Sequence, residues 1–410
     1  MLTNFKIDNF KSLTDFSLPG DESSLGKFVC LIGLNGAGKS TVLQAVDFVS
    51  QLVIGDVSKW LSSRGWERSD LVGKGSKKRN INFSMHFLVE GIGDLTWVGS
   101  YNSQQGRCTK EELSFVPFPS LKDDGFFPTR SVVFNFESGV IRDNAGWRRD
   151  VGDYTGSVFN KFKAPSSGAN RNDVVAIYLL RYVLRGVKSL ELLSPQLMRR
   201  SSKGGGDVGV GGETLAAFVY GLSPQEKEQF FEKLLEFYPR LDSASSKSGK
   251  YGWKRFFISE RYENSTELDA RHVNDGLLRI AAIIAQTVAK TPPRYDDAKV
   301  NPQQRGYQFV LLDEIENGMN PEVVERVVKY LLEVRQQVFV TTHSPLILNY
   351  LADDVARKSV FLIYRRKDGS SGATRFFEIK DVADRLELMG PGEAFLDVGL
   401  ERLGAKLSRS

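Results

Sequence analysis

Cysteine and histidine are scarce in this chain. Its 410 residues include two cysteines, Cys30 and Cys108, and three histidines, His86, His272 and His343. Two isolated thiols build neither a disulfide framework nor a Cys-x-x-Cys zinc site, and they suit a reducing compartment. No apolar run approaches the roughly 18 residues of a membrane span. Met1-Leu2-Thr3-Asn4-Phe5-Lys6 lacks the apolar core of a secretory signal. A cytoplasmic protein with no membrane partner is therefore expected. Charge of one sign is modest too: 55 Lys+Arg against 50 Asp+Glu leave +5 over the whole length, too dilute to point to nucleic acid by itself. Apolar residues make up 41%, enough to fill a large core, which excludes global disorder.

What is present alternates between strand and helix patterns. Residues 5–18 alternate loosely, and Phe28-Val29-Cys30-Leu31-Ile32 reads as a short buried strand. Residues 80–116 are β-rich, 173–193 read as helix, and Ser201–Gly206 as a flexible loop. Ser223-Pro224-Gln225-Glu226 is a capping box with proline at the first helical position. It opens an amphipathic helix that ends before Pro239, and a polar stretch, Ser243–Gly249, is expected to separate it from the last third. There the pattern predicts helix 275–290, strand 307–312, helix 321–335, strand 336–341 and strand 358–364. The expected class is α/β, with a mixed or parallel sheet, an antiparallel β part and a helical insertion.

Gly33-Leu34-Asn35-Gly36-Ala37-Gly38-Lys39-Ser40, followed by Thr41, fits the Walker A spacing between a strand and a helix. Its glycines let backbone N–H groups close around phosphate oxygens, assisted by the helix dipole. Lys39 is placed to reach the β- and γ-phosphates of ATP, and Ser40 to hold Mg²⁺. Phe309-Val310-Leu311-Leu312 ends in Asp313 and Glu314. A buried strand delivers both acids at its C-terminal edge, where α/β sheets bind ligands. Asp313 is the second expected Mg²⁺ ligand, and Glu314 the general base that polarises the attacking water. A lone histidine is usually structural, but His343 follows the strand expected beside the carboxylate strand, within reach of the γ-phosphate.

These segments together, with Leu312–Pro321 and Thr341-Thr342-His343-Ser344-Pro345, resemble an ABC-type P-loop ATPase head of the RecF/SMC/OLD group. The opening Phe5–Leu13 is similar to that group's first strand. The resemblance implies a core split between residues 1–72, with Walker A, and 256–410, with signature, Walker B and histidine switch. Residues 73–255 would then form an inserted β and helical arm. It also implies that Asn274-Asp275-Gly276 acts in trans, capping nucleotide held by a second subunit, with Asn274 where the group usually carries serine. Asn317-Gly318 resembles the D-loop at that seam. A homodimer or a higher even-numbered homo-oligomer follows.

Other absences narrow the role. No Asn-Lys-x-Asp reads guanine, no long coiled coil interrupts the head, and the usual Leu-Ser-Gly-Gly-Gln transporter signature is missing. The residues after His343 hold no clear Glu plus Asp-x-Asp set, so a Toprim nuclease is not expected there. Lys77-Lys78-Arg79, Arg148-Arg149, Arg199-Arg200 and Arg365-Arg366-Lys367 are scattered, concentrating no basic face. Phe126-Phe127 and Phe134-x-Phe136 read as core. The expected role is an ATP-driven sensor and scaffold for a separately encoded, nuclease-like effector in anti-phage defence, resembling the AriA family of PARIS. The alternative is a RecF-like DNA-maintenance ATPase that clamps duplex DNA.

Overall fold

The computed structural model describes residues 1–54, 57–118, 131–137, 139–143, 148–161, 171–262, 266–289 and 309–408. Phe126-Phe127 and the Arg148-Arg149 side chains lie outside the described residues. Among the described residues seventeen strands follow one another along the chain. The first three are β1 (Leu2–Asp8), β2 (Phe16–Leu18) and β3 (Phe28–Ile32). A meander comes next: β4 (Asn80–Val89), β5 (Gly93–Asn102), β6 (Arg107–Pro117), β7 (Ser131–Glu137), β8 (Val140–Asp143) and β9 (Arg148–Asp150). Then come β10 (Val187–Leu190), β11 (Leu241–Ser248), β12 (Lys254–Glu260) and β13 (Leu268–Asp269). The last four are β14 (Phe309–Leu312), β15 (Gln337–Thr341), β16 (Val360–Arg365) and β17 (Ser371–Arg375).

Three sheets result: β2-β1-β4-β5-β6-β7-β8-β9, β10-β14-β15-β3-β16-β17 and β11-β12-β13. The first is antiparallel throughout; in the second only β17 runs against its neighbour. The parallel sheet is the central layer. Val29, Leu31, Leu311, Phe339 and Phe361 face one core, shared with the helix α1 (Lys39–Ile54) and the antiparallel sheet. Cys30, Ile32, Val310, Leu312, Val338 and Val340 face a second core with the helices Asp275–Val288 and Pro321–Glu333. Burial on both faces explains why these strands read as continuous apolar runs. Gln337 ties the two sheets: its amide donates to Leu2 O (2.8 Å) and Gly26 O (2.7 Å) and accepts from Leu2 N (2.7 Å).

The capping box forms as its spacing requires. Ser223 Oγ accepts from Glu226 N, and Glu226 Oε2 accepts from Ser223 N. The helix it opens, Pro224–Phe237, buries Phe230, Leu234 and Phe237. Phe134 and Phe136 are core residues. Two expectations need correction. The helix expected over 173–193 is Arg171–Arg185, after which β10 pairs in parallel with β14. Gly186, whose N–H turns back to the Tyr182 and Val183 carbonyls, interrupts the helix, and the β-branched Val187 starts the strand. This part of the 73–255 segment thus lies within the parallel sheet. The polar stretch at 243–249 is mostly strand β11, because its register is carried by β12, whose Phe256 and Ile258 are buried. Among the described residues no helix is long and apolar enough to cross a membrane.

A buried ion triad ties α1 to the end of β10. Arg64 Nη2 lies 2.7 Å from Asp47 and 2.5 Å from Glu191, with all three side chains at most 3% exposed. Burial raises the Asp47 carboxyl and pushes Glu191 up to about 7, while Arg64 opposes both shifts. Arg64→Met should leave both acids without their cation and cost about 3–5 kcal/mol in urea unfolding at neutral pH. A raised carboxyl stabilises least once pH passes its folded-state value. The loss should therefore shrink as pH falls below about 7 and Glu191 protonates.

Candidate nucleotide site

The phosphate loop leaves the C-terminal end of β3 and enters α1. At Gly38, φ is 110° and a Cβ would sit 2.4 Å from Ser371 Oγ, so the position admits no side chain. That close approach is part of a brace. Ser371 Oγ donates to Ala37 O at 2.7 Å and pairs with Ser12 Oγ at 2.9 Å, while Arg365 Nε donates to Gly36 O at 2.9 Å. Sequence reasoning missed Ser371 and Arg365, since nothing in their spacing relates the β16–β17 hairpin to a loop more than 300 residues away, and it missed Ser12, which meets the loop through Ser371.

Lys39 folds back over the loop and donates to Gly33 O (2.9 Å) and Leu34 O (3.3 Å). Burial lowers its affinity for its proton; Asp313, Glu314 and Glu316 act the other way. Ser40 Oγ, at the start of α1, donates to Asp313 Oδ1 at 3.0 Å. Asp313 also accepts from the Thr341 hydroxyl. Its carboxyl is raised by burial, against the hydrogen bonds from Thr341 and Ser40. Thr341 Oγ1 in turn accepts from Glu314 N at 2.9 Å. Glu314 adopts φ 46°, a left-handed conformation costing roughly 1–3 kcal/mol in a non-glycine residue, and Asn317 Nδ2 donates to its carboxylate.

His343 sits just beyond β15, half-exposed, with its ring Nδ1 3.3 Å and its backbone N 3.1 Å from Glu316 Oε1. Thr342 Oγ1 donates to the same oxygen at 2.9 Å. Glu316 Oε2 is buried without a hydrogen-bond partner. Glu316 was given no role from sequence, although it stands two residues after Glu314. Ser40, Asp313, Glu314, Lys39 and His343 therefore gather at one sheet edge. A serine hydroxyl beside a carboxylate is a hard oxygen donor set, and three carboxylates act there on one lysine. The site's chemistry fits Mg²⁺, which prefers such oxygens and leaves several positions to water and phosphate.

Asn274, Asp275 and Gly276 lie elsewhere. Asn274 caps the helix Asp275–Val288, its Oδ1 accepting from Leu277 N at 2.8 Å. Asp275 pairs with Arg199 at 2.6 Å, and a Cβ on Gly276 would lie 3.0 Å from Gly318 O. The segment thus packs on the turn that follows the carboxylates. Among the described residues, no hydrogen bond joins it to residues 33–40.

A phosphate loop on a parallel sheet, with carboxylates at the end of a strand one removed from it across β15, defines an ABC-type ATPase head of the RecF, SMC and OLD group. The chain belongs to the family described as "AAA domain, putative AbiEii toxin, Type IV TA system", which matches residues 28–349. It is 37% identical over 132 residues to an OLD nuclease of Thermus scotoductus, covering 31% of this chain. It spans only 22% of that relative's length. Two solved SMC heads share the fold. One, bound to the C-winged helix domain of ScpA, is 14% identical over 91% of this chain and 96% of its own, at TM-score 0.51. The other, from Pyrococcus furiosus with an extended coiled coil, is 12% identical over 94% and 99%, also at 0.51.

Thr341→Val removes the hydroxyl that donates to Asp313 and accepts from Glu314, while preserving volume. Losing one such hydrogen bond, about 1–1.5 kcal/mol, should weaken Mg²⁺-dependent ATP binding roughly tenfold. Titration with a fluorescent ATP analogue at varied Mg²⁺ measures this; an unchanged Mg²⁺ dependence would rule out Thr341 as the residue that holds Asp313.

Proposed function

We propose that this chain binds and hydrolyses ATP, closes into a homodimer or higher even-numbered homo-oligomer around it, and thereby controls a separately encoded effector. The observation that carries the reading is the convergence of Lys39, Ser40, Asp313 and Glu314 at one sheet edge. In the proposed reaction, backbone N–H groups of residues 33–41 and the Lys39 ammonium hold the phosphates. Ser40 and Asp313 would hold Mg²⁺, which would supply charge neutralisation on the β- and γ-phosphates. Glu314 accepts a proton as a water oxygen bonds to the γ-phosphorus and the bond to the bridging oxygen breaks, leaving ADP and phosphate. His343, oriented by Glu316, contacts the γ-phosphate. Asn274, Asp275 and Gly276 of the second subunit close the other side; the helix that they open offers N–H groups to an anion.

The effector is proposed to be nuclease-like, and the setting bacterial anti-phage defence in the cytoplasm. The likeness to part of an OLD nuclease and the toxin-related family description support this. Residues 1–72 and 256–410 would supply the ATPase core, joined by β10 in its sheet, and the rest of 73–255 the arm.

Glu314→Gln should bind ATP, turn it over at least a hundredfold more slowly, and accumulate as a closed dimer in light-scattering chromatography. Wild-type turnover would eliminate Glu314 as the base. Mixing Lys39→Ala with Asn274→Ala protein should restore part of the hydrolysis, because a mixed dimer holds one intact composite site. Activity no higher than the two separate sums would refute the trans role. Purified from its host with ATP and Mg²⁺, the Glu314→Gln protein should carry a stoichiometric nuclease or toxin-like protein. Salt-sensitive duplex DNA without a protein partner would favour the RecF-like clamp instead.

A further inference from the structure

Four basic residues outside the scattered basic clusters, Lys203, Lys247, Lys250 and Arg255, are brought together around the small sheet β11-β12-β13. One side of β12 is core: Phe256 and Ile258 are buried, and Phe256 meets Phe230 edge-on at 6.3 Å. Strand alternation then sends Trp253, Arg255 and Phe257 to the opposite side, an aromatic–cation–aromatic row spanning about 13 Å. On β11 the partners are Ser245 opposite Phe257 and Lys247 opposite Arg255. Like charges directly across a ladder are destabilising, and here both side chains remain more than half exposed. Lys203 lies 5.0 Å from the Trp253 ring and Lys247 5.4 Å from the Phe257 ring. Glu267 and Asp269, at the β13 edge, pair with Lys247 and Arg255 and offset part of the charge.

The hairpin tip adds a second observation. Tyr251 is 88% exposed and held at φ 57°. Glycine would adopt that conformation without strain, whereas a bulky side chain there is an outlier. An aromatic ring is thus held in water in a strained backbone, where folding alone favours glycine. Tyr251, Trp253, Phe257, Lys247, Lys250 and Arg255 line a groove of about 480 Å³.

We propose that this face binds single-stranded nucleic acid, with bases stacking on Trp253, Phe257 and Tyr251 and phosphates held by Lys203, Lys247, Lys250 and Arg255. An exposed Trp253 and a half-buried Phe257 at strand spacing, interleaved with cations, match unpaired bases and a phosphate backbone. A duplex hides the base faces that these rings would engage. The proposal is independent of ATP hydrolysis and concerns a surface separate from the phosphate loop.

The test is fluorescence anisotropy of the full chain with labelled oligothymidylate, oligouridylate and a duplex of equal length, at low and raised salt. Both single strands should bind more tightly than the duplex, with affinity falling as salt rises; the stronger of the two identifies DNA or RNA as the source. Trp253→Ala and Arg255→Glu should each weaken binding about tenfold. Tyr251→Gly should weaken it while the thermal midpoint holds or rises, since the strain is relieved. That combination separates a lost contact from a lost fold. Preference for the duplex, unchanged affinity in all three variants, or capture of polyglutamate alone would overturn the proposal.

Discussion

The parallel register of β14, β15 and β3 is the constraint on which the site depends. Leu312 lies opposite Val340, and Val340 opposite Cys30. The strand ends therefore open at one level, bringing Asp313, Thr341 and the phosphate loop together. Because side chains alternate, a one-residue slip would turn each strand's faces over. It would exchange the residues packed on α1 with those packed on the C-terminal helices. The two cores thus fix the register, and the register fixes the Ser40–Asp313 contact.

At that edge, burial raises Asp313 and lowers Lys39, while each supports the charged form of the other. Hydroxyls from Ser40 and Thr341 partly replace water around the carboxylate. The strained backbone at Glu314 is held by Thr341 below it and Asn317 beside it. Asn317 also leads into Gly318, against which Gly276 packs. The proposed base and the proposed trans segment are therefore mechanical neighbours within one chain. The SMC heads establish the fold, and the family match places the chain in its group. The effector and the trigger belong to the proposed function.

Much of the site was legible because each motif is local. Walker A closes within eight residues, the capping box within four, and the carboxylates follow their apolar strand directly. The failures share a different cause. β10 reads as more helix because Val187 and Leu190 continue an apolar pattern, and only pairing with β14 reveals a strand. β11 reads as linker because its serines carry no hydrophobic signal; Phe256 and Ile258 on its neighbour supply the burial. Arg64, Ser371 and Arg365 gain their roles from partners distant in sequence.

The sequence by itself determined the phosphate loop, the acids at a strand end and the α/β alternation, since these depend on residue type at short spacing. Tertiary structure alone decided which hydroxyl holds Asp313, which hairpin braces the loop and how the charges are distributed. Lys203, Lys247 and Arg255 are modest, separate features in the chain. Strand pairing places Lys247 opposite Arg255, and folding brings Lys203 over Trp253. A local pattern specifies which way a side chain leaves its own backbone, but only long-range pairing specifies what it meets.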